Sequence, residues 1–249
     1  HKKFATKMKT ASIIIIGNEI LSGRTQDTNS NYLAKMLVQK GISLEEIRVI
    51  PDDLNIIESV VNYESSVKDY VFTSGGIGPT HDDITAEAIA ICFQTSLVVN
   101  DDAVELLAMN YKNGKKDLNA ARLRMARIPE GAKLIKNKIS GAPGFIIKNV
   151  FVMAGVPQIF EAMVQEIISN IGSVNPILSK TVKVFKKESE ISDRLWNYAD
   201  RYKDISIGSY PFNNSGIFGV EIVLRHTDRV RLNKVFNEIS RDLNEPNTS

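Results

Sequence analysis

Residues 70–85 read Tyr-Val-Phe-Thr-Ser-Gly-Gly-Ile-Gly-Pro-Thr-His-Asp-Asp-Ile-Thr. The apolar residues at the start predict a strand, and three glycines follow it within four positions. Because glycine has no Cβ, it lets a backbone turn sharply and approach a ligand closely. The stretch therefore predicts a strand, a tight loop and a helix that begins near Ile84.

The loop of this stretch, Thr73–Thr85, suits a phosphate, because a helix start carries unpaired amide groups and a partial positive charge. The carboxylates of Asp82 and Asp83 would repel that phosphate unless a divalent cation lay between them. The loop thus predicts a metal-assisted phosphate site, with Mg²⁺ as the expected ion and Mn²⁺ or Co²⁺ as alternatives. In a competing interpretation both residues cap the helix, since Asp is a favoured N-cap and Thr80 to Asp83 has capping-box spacing.

Composition limits the class of protein. A chain of 249 residues predicts one large domain and a smaller one. It has 43% hydrophobic and 24% charged residues and no apolar run of about 20, which predicts a soluble globular protein outside the membrane. The single cysteine, Cys92, predicts a buried, inert thiol and a cytoplasmic location without disulfides. A net charge of +2 argues against a nucleic-acid partner.

Three strand–helix units open the chain, with strands predicted at 12–16, 44–50 and 70–73. Their alternation predicts a mostly parallel sheet with helices on both faces. Loops that follow the carboxyl ends of parallel strands meet at one edge of the sheet, where ligands bind. We therefore expect five acidic residues to converge there: Glu19, Asp52, Asp53, Asp82 and Asp83.

The remainder predicts further elements and two domains. Helices are expected at 101–112, 119–126 and from Pro157, and two short strands at 145–148 and 150–153. A linker is expected at 172–176, followed by strands at 181–185, 205–211 and 216–224 and helices at 189–202 and 229–243. These elements predict a larger α/β domain over 12–172 and a small α+β subdomain with a partly antiparallel sheet over 176–249. Residues 1–11 are expected to be disordered or foreign to the native chain.

Five motifs carry a resemblance to a known family. In chain order they are Gly17-Asn18-Glu19-Ile20-Leu21-Ser22-Gly23, Thr28-Asn29, the loop through Asp83-Ile84-Thr85, Ala142-Pro143-Gly144 and Gly155-Val156-Pro157. Together they resemble the molybdopterin-binding domain of the competence/damage-inducible protein A family, which also stands at the amino end of eukaryotic FAD synthase. The domain is similar, more distantly, to molybdopterin adenylyltransferase and the molybdenum-insertion enzyme. Residues 205–224 fit the short form of the family, so we expect no amidase domain.

The resemblance implies a three-layer α/β/α fold, homo-oligomers, and a pocket that binds molybdopterin or a nucleotide phosphate with a divalent metal. Relatives of the competence type are linked to hydrolysis of the pyrophosphate of ADP-ribose or FAD, which makes a metal-dependent nucleotide pyrophosphatase the leading hypothesis. The alternatives are transfer of AMP to molybdopterin and ligand binding without catalysis. The catalytic acids of the adenylyltransferase correspond to Asp52 and Asp83.

Individual residues have distinct predicted roles at this site. Asp83 and Asp52 are the predicted catalytic residues, and with Asp82 and Glu19 they are the predicted metal ligands. The residues predicted to contact the ligand or its phosphate, in addition to Glu19, are Gly17, Asn18, Ser22, Thr28, Asn29, Thr73, Ser74, Gly75, Gly76, Gly78, Pro79, Thr80, His81, Gly155 and Pro157. Two of them have simpler alternatives: His81 as an ordinary hydrogen-bond partner, and Thr28 as the cap of its helix.

Overall fold

The computed structural model describes residues 8–171, 176–214 and 216–244. The chain divides into two compact units, with the boundary between Val174 and Asn175. The predicted linker, except for Pro176, and residues 1–7 of the predicted disordered segment lie outside the described residues.

The first unit contains a six-stranded sheet in the order β2-β1-β3-β8-β7-β6. The strands are β1 (Lys9–Ile16), β2 (Ile42–Ile50), β3 (Tyr70–Ser74), β6 (Lys133–Ile135), β7 (Gly144–Ile147) and β8 (Val150–Met153). β2, β1, β3 and β8 run parallel, whereas β7 and β6 are antiparallel to their neighbours. A separate antiparallel pair is formed by β4 (Leu97–Val99) and β5 (Arg127–Pro129). The mostly parallel sheet predicted from the strand–helix alternation is confirmed.

Helices cover both faces of this sheet. They are α1 (Asn18–Leu21), α2 (Asn29–Gln39), α3 (Leu54–Val67), α4 (Thr85–Cys92), α5 (Asp101–Ala108), α6 (Ala120–Arg124) and α7 (Pro157–Ile168), with a 3₁₀ turn at Gly114–Asp117. Ile13 and Ile15 of β1 pack on one face in a core with residues of α2 and α7. Ile14 and Ile16 point to the other face, in a core with residues of α3, α4 and α5. Side chains alternate along a strand, so the unbroken run of isoleucines serves both cores, and the three-layer α/β/α fold is confirmed.

Several boundaries differ from the sequence predictions. β1 begins at Lys9, so residues 9–11 are part of the sheet rather than disordered. The helix predicted over 101–112 ends at Ala108, and Asn110 and Tyr111 close turns onto Leu107 and Ala108 instead. Strands β4 to β6 are three residues each, too short to produce a readable alternation of polar and apolar residues. Cys92 is partly rather than fully buried, and this burial raises the pKa of its thiol, which keeps it protonated.

The second unit is a three-stranded sheet in the order β10-β11-β9 with two helices. Its elements are β9 (Leu178–Val184), α8 (Glu188–Arg201), β10 (Ser206–Asn214), β11 (Ile217–His226) and α9 (Arg229–Asn244). Both strand pairs are antiparallel, so the expected partly antiparallel sheet is fully antiparallel over the described residues. Val220, Ile222 and Leu224 of β11 are fully buried and share one core with apolar residues of both helices.

Across the described ranges, no helix combines the length and the apolar character needed to cross a lipid bilayer.

Candidate functional site

The loops that follow β1, β2 and β3 meet at the carboxyl edge of the sheet. The amide of Gly17 donates to the carbonyl of Ile50 (3.2 Å), and the amide of Asn18 donates to Oδ2 of Asp52 (2.9 Å). The amide of Gly75 donates to the carbonyl of Met153 at the end of β8 (3.0 Å). The predicted convergence of these loops is therefore present, and hydrogen bonds hold it together.

Gly75 and Gly76 make the turn after β3, and both have backbone angles that favour glycine, with φ of +109° and +71°. A Cβ on Gly75 would lie 2.2 Å from the carbonyl oxygen of Ile16, and a Cβ on Gly76 would lie 2.0 Å from Oγ1 of Thr85. Thr85 fastens the turn from the other side, since its hydroxyl donates to the carbonyl of Gly75 (3.1 Å) and its amide to that of Gly76 (2.9 Å). The two glycines are thus required by the packing of the loop itself.

Asp83 closes the second half of the loop. Its Oδ2 accepts hydrogen bonds from the amide of Thr80 (2.7 Å) and from the Thr80 hydroxyl (2.5 Å). The same hydroxyl lies beside Asp82, and hydrogen bonding with Thr80 is the main reason that the pKa of the Asp82 carboxyl is lowered. The N-cap of α4 is Ile84, with no side-chain capping hydrogen bond. Neither Asp82 nor Asp83 therefore caps α4, although Asp83 makes the hydrogen bond to the Thr80 amide that the capping-box spacing predicts.

Fewer amides of the predicted phosphate cradle, Ser74 to Thr80, are available to a phosphate than expected. The amide of Gly75 is bonded to Met153 and that of Thr80 to Asp83. Of the described residues 74–80, Gly76, Ile77 and Gly78 have backbone amides with no hydrogen-bond acceptor in the protein. Successive backbone N–H groups in such a turn form a concave site for an anion.

A cavity of about 490 Å³ lies against this loop. It is lined by the end of β1, the three converging loops, the residue that follows α6, the segments before β7 and α7, and the start of α7: Ile16, Glu19, Thr25, Asp52, Gly75, Gly76, Ile77, Gly78, Pro79, Thr80, Asp82, Asp83, Met125, Ser140, Ala142, Ala154, Gly155, Val156, Pro157 and Ile159. All four predicted metal ligands line this one cavity. Asp53, by contrast, points its side chain to the amide of Ile56 as the N-cap of α3.

Three residues predicted to contact the ligand have other surroundings. Thr73 is fully buried in β3, so it is not placed to reach a ligand. Asn29 and Ser74 are 5% and 1% exposed. The side-chain amide of Asn29 donates to Oγ of Ser74 (2.9 Å) and to the carbonyl of Gly155 (2.8 Å). Asn29 therefore ties the start of α2 to the loops after β3 and β8.

We expect Asn29→Ala to lower the free energy of unfolding by about 1–3 kcal/mol, because it removes the donor shared by the buried Ser74 hydroxyl and the Gly155 carbonyl. Asn29→Asp should cost at least as much, since a carboxylate would face the same two oxygen atoms. Chemical denaturation followed by circular dichroism measures both, with the exposed Asn55→Ala as the matched control. An unchanged denaturation midpoint in both Asn29 variants would refute this structural role.

The other predicted contacts lie at the margin of the site. Thr28, with Asn29 and Ser74, lines a smaller recess of about 50 Å³ that shares Glu19 and Thr25 with the main cavity. Thr28 occupies the N-cap position of α2 without a side-chain capping bond, and Asp27 accepts from the amides of Asn29 (2.9 Å) and Ser30 (3.3 Å) instead. His81 and Ser22 are exposed and are not among the residues that line the main cavity.

The acidic residues do not form a ready-made metal centre. Among residues 8–171, 176–214 and 216–244, no group of three or more His, Cys, Asp or Glu side chains is placed to hold a metal ion. The expected cluster of four acids is thus a shared lining rather than a preformed set of ligands. This arrangement still fits Mg²⁺, which is usually bound through one or two carboxylates together with substrate phosphates and water.

Part of the cavity lining is not predicted by the sequence. Met125, Ser140, Thr25 and Ile159 come from segments that are distant in the chain from the glycine-rich loop. Ala142 and Val156 belong to motifs that were noted in the sequence, and these motifs could have indicated a wall. Met125 lies in the helix predicted over 119–126, whose sequence does not show that its end reaches the cavity, and Ser140 follows a three-residue strand that the pattern did not predict.

Proteins similar in sequence are known for both parts of the chain. Residues 12–178 match the family described as probable molybdopterin binding domain, and residues 176–248 match the middle domain of FAD synthase. A protein of Archaeoglobus fulgidus is 37% identical over 231 residues, which are 92% of this chain and 97% of the relative. A probable FAD synthase of Caenorhabditis briggsae is 32% identical over 87% of this chain, and the chain spans 46% of its length.

A solved structure agrees with these matches. The protein CinA of Thermoplasma acidophilum, described as having unknown function, is similar with a TM-score of 0.60 and 35% identity. The similarity covers 66% of this chain and 99% of that one.

Proposed function

Because the chain belongs to the molybdopterin-binding domain family, we propose that its cavity binds the diphosphate of a nucleotide and hydrolyses it in a metal-dependent reaction, with ADP-ribose or FAD as substrate. One observation carries the proposal. Asp52 and Asp83 line the same cavity of about 490 Å³ as Gly76, Ile77 and Gly78, whose amides have no acceptor within the described residues. Donors for phosphate oxygens and acceptors for a proton or a cation therefore meet in one place.

The free amides of the glycine-rich loop would hold the phosphate oxygens, on which negative charge grows as phosphorus is attacked. Asp83 is fixed by Thr80 through one carboxylate oxygen, Oδ2, which leaves Oδ1 to accept a hydrogen bond from a water molecule. Asp52 is held in the same way by the amide of Asn18. Both carboxylates are thus oriented by the backbone and keep an acceptor for the reaction.

The reaction is the addition of water across a phosphoanhydride. The water oxygen bonds to phosphorus, the bond to the bridging oxygen breaks, and Asp83 accepts the proton that the water loses. ADP-ribose would give AMP and ribose 5-phosphate, and FAD would give AMP and FMN. Asp52 and Asp83, with Glu19 and Asp82 as supporting ligands, would hold the divalent cation, which supplies neutralisation of the phosphate charge.

Product analysis tests the proposal against its two alternatives. The purified protein is incubated with FAD, with ADP-ribose, or with molybdopterin and ATP, each in the presence of Mg²⁺, Mn²⁺ or Co²⁺. We expect AMP from FAD or ADP-ribose, and none after the metal is removed with EDTA. Pyrophosphate released only from the mixture of molybdopterin and ATP would favour adenylyl transfer, and binding without any product would favour a non-catalytic protein.

A further inference from the structure

One outer edge of the six-stranded sheet carries exposed apolar side chains. β2 is the end strand at this edge, and over the described residues it pairs with β1 alone. Ile47 and Val49 are 51% and 38% exposed on this strand. An open strand edge with apolar side chains is a template for another strand, and proteins usually protect such an edge with charges, a bulge or a cover.

A bulge protects only the first part of β2. The register against β1 skips Glu45, which is the extra residue between Leu44 and Glu46. A bulge bends and twists the strand that contains it, which disfavours pairing with a further strand at that point. Residues 46–50 follow the bulge in regular register with β1, so this segment remains an open edge.

α3 carries an exposed apolar stripe beside this edge. The buried residues of the helix are Ile57, Val61 and Glu64. About 100° around the helix axis lies a second stripe, whose members are spaced as in a seam between packed helices: Ile56, Val60, Tyr63 and Val67. Tyr63 is 56% exposed, and its ring centre lies 5.4 Å from the guanidinium carbon of Arg48 in β2. The second stripe and residues 46–50 therefore form one surface, the α3–β2 surface.

Two opposite charges make this edge complementary to itself. Nε of Arg48 lies 2.6 Å from Oε1 of Glu46 and 3.0 Å from Oε1 of the fully buried Glu64. If two β2 strands pair antiparallel about a two-fold axis at Ile47, Glu46 of each copy lies opposite Arg48 of the other. Opposite charges stabilise such cross-strand pairs, and the five N–H groups of a guanidinium allow it to face a further carboxylate. An axis at Arg48 would instead place two Arg48 side chains opposite each other.

We propose that the α3–β2 surface binds a second copy of this chain, in a two-fold dimer whose axis passes at Ile47. Each β2 pairs with the other as an antiparallel strand, and the two Ile47 side chains meet at the axis. α3 connects the parallel strands β2 and β3 and runs antiparallel to them, so the same axis brings the two exposed stripes together as antiparallel helices. The same patch serves both copies, as a two-fold interface requires.

Sedimentation equilibrium of the full chain tests the dimer. We expect the wild-type protein to have about twice the chain mass of 27.7 kDa. Ile47→Asp should raise the Kd of the dimer by at least about 100-fold, because it places two like charges opposite each other and removes two buried side chains. Met109→Asp is the matched control, since Met109 is 78% exposed at the end of α5, outside the α3–β2 surface, and it should leave the Kd unchanged. Circular dichroism verifies that both variants are folded. A monomeric wild-type protein at about 100 μM, or an unchanged Kd in Ile47→Asp, overturns the proposal.

Disulfide formation at the axis tests the register of the two strands. In Ile47→Cys the two Cα atoms would lie about 4.5–5.5 Å apart, which a disulfide can bridge. In Val49→Cys each thiol lies two residues from the axis, so the Cα atoms would be about 14 Å apart and out of reach. Both variants also carry Cys92→Ala, because Cys92 is the single cysteine of the chain. Oxidation with diamide should give a covalent dimer of Ile47→Cys alone on a non-reducing gel. No covalent dimer of Ile47→Cys, or equal amounts from both variants, overturns the pairing of β2.

Discussion

Asp83→Asn is expected to lower the turnover of the preferred dinucleotide by about 100-fold or more, the range for loss of a positioned general base. Asparagine has nearly the same shape and keeps a carbonyl oxygen for the amide and hydroxyl of Thr80, which Asp83 now accepts at 2.7 and 2.5 Å. The loop should therefore keep its conformation, and the missing charge and proton acceptor should account for the loss. Steady-state release of AMP measures the effect.

Asp53→Asn is the control for this variant. Asp53 is the neighbour of Asp52, but its carboxylate caps α3 by accepting from the amide of Ile56 (3.0 Å). Asparagine is an equally good N-cap, so we expect unchanged stability and unchanged turnover. Full activity of Asp83→Asn would refute the catalytic role of Asp83.

Gly75→Ala is expected to have the largest effect on stability, a loss of about 2–4 kcal/mol in the free energy of unfolding. The new Cβ would stand 2.2 Å from the carbonyl oxygen of Ile16, and both groups belong to backbone that cannot rotate away. Gly75 also has a φ of +109°, which a residue with a Cβ adopts only under strain. For a domain of this size, the loss corresponds to a decrease of about 4–16 °C in Tm.

Gly131→Ala separates the two causes of this loss. Gly131 also has a positive φ, +81°, but a Cβ there would have no atom within 4 Å. It should therefore show the cost of the backbone conformation without the clash, about 1 kcal/mol. Equal changes in Tm for the two variants, measured by differential scanning calorimetry, would mean that contact between Gly75 and Ile16 does not constrain the loop.

The sequence was sufficient for those features of the site that depend on strands and their order. Four consecutive isoleucines, Ile13 to Ile16, indicate a strand buried on both faces, and the rule that loops converge at the carboxyl edge then places Glu19, Asp52 and Asp83 together. These three residues do line one cavity. The motif resemblance led to the same edge of the sheet.

The sequence was not sufficient to predict which side chains contact each other. A pattern does not show that Asn29 turns inward to Ser74 and Gly155. The capping-box spacing does indicate that Asp83 accepts from Thr80, but not that α4 begins only at Thr85. Polar residues near a predicted site are assigned to the ligand by default, although buried polar groups commonly pair with each other. Met125 and Ser140 remained unassigned because tertiary packing alone brings them to the cavity.

The central claim is that a divalent cation is held jointly by the carboxylates of this cavity and by the phosphates of the ligand. Electron paramagnetic resonance of free Mn²⁺ in the presence of ADP tests it most directly. We predict that wild-type protein and Asp53→Asn bind Mn²⁺ with ADP more tightly than ADP alone does, and that Asp52→Asn and Asp83→Asn do so weakly. Identical Mn²⁺ binding by all four proteins would contradict the claim.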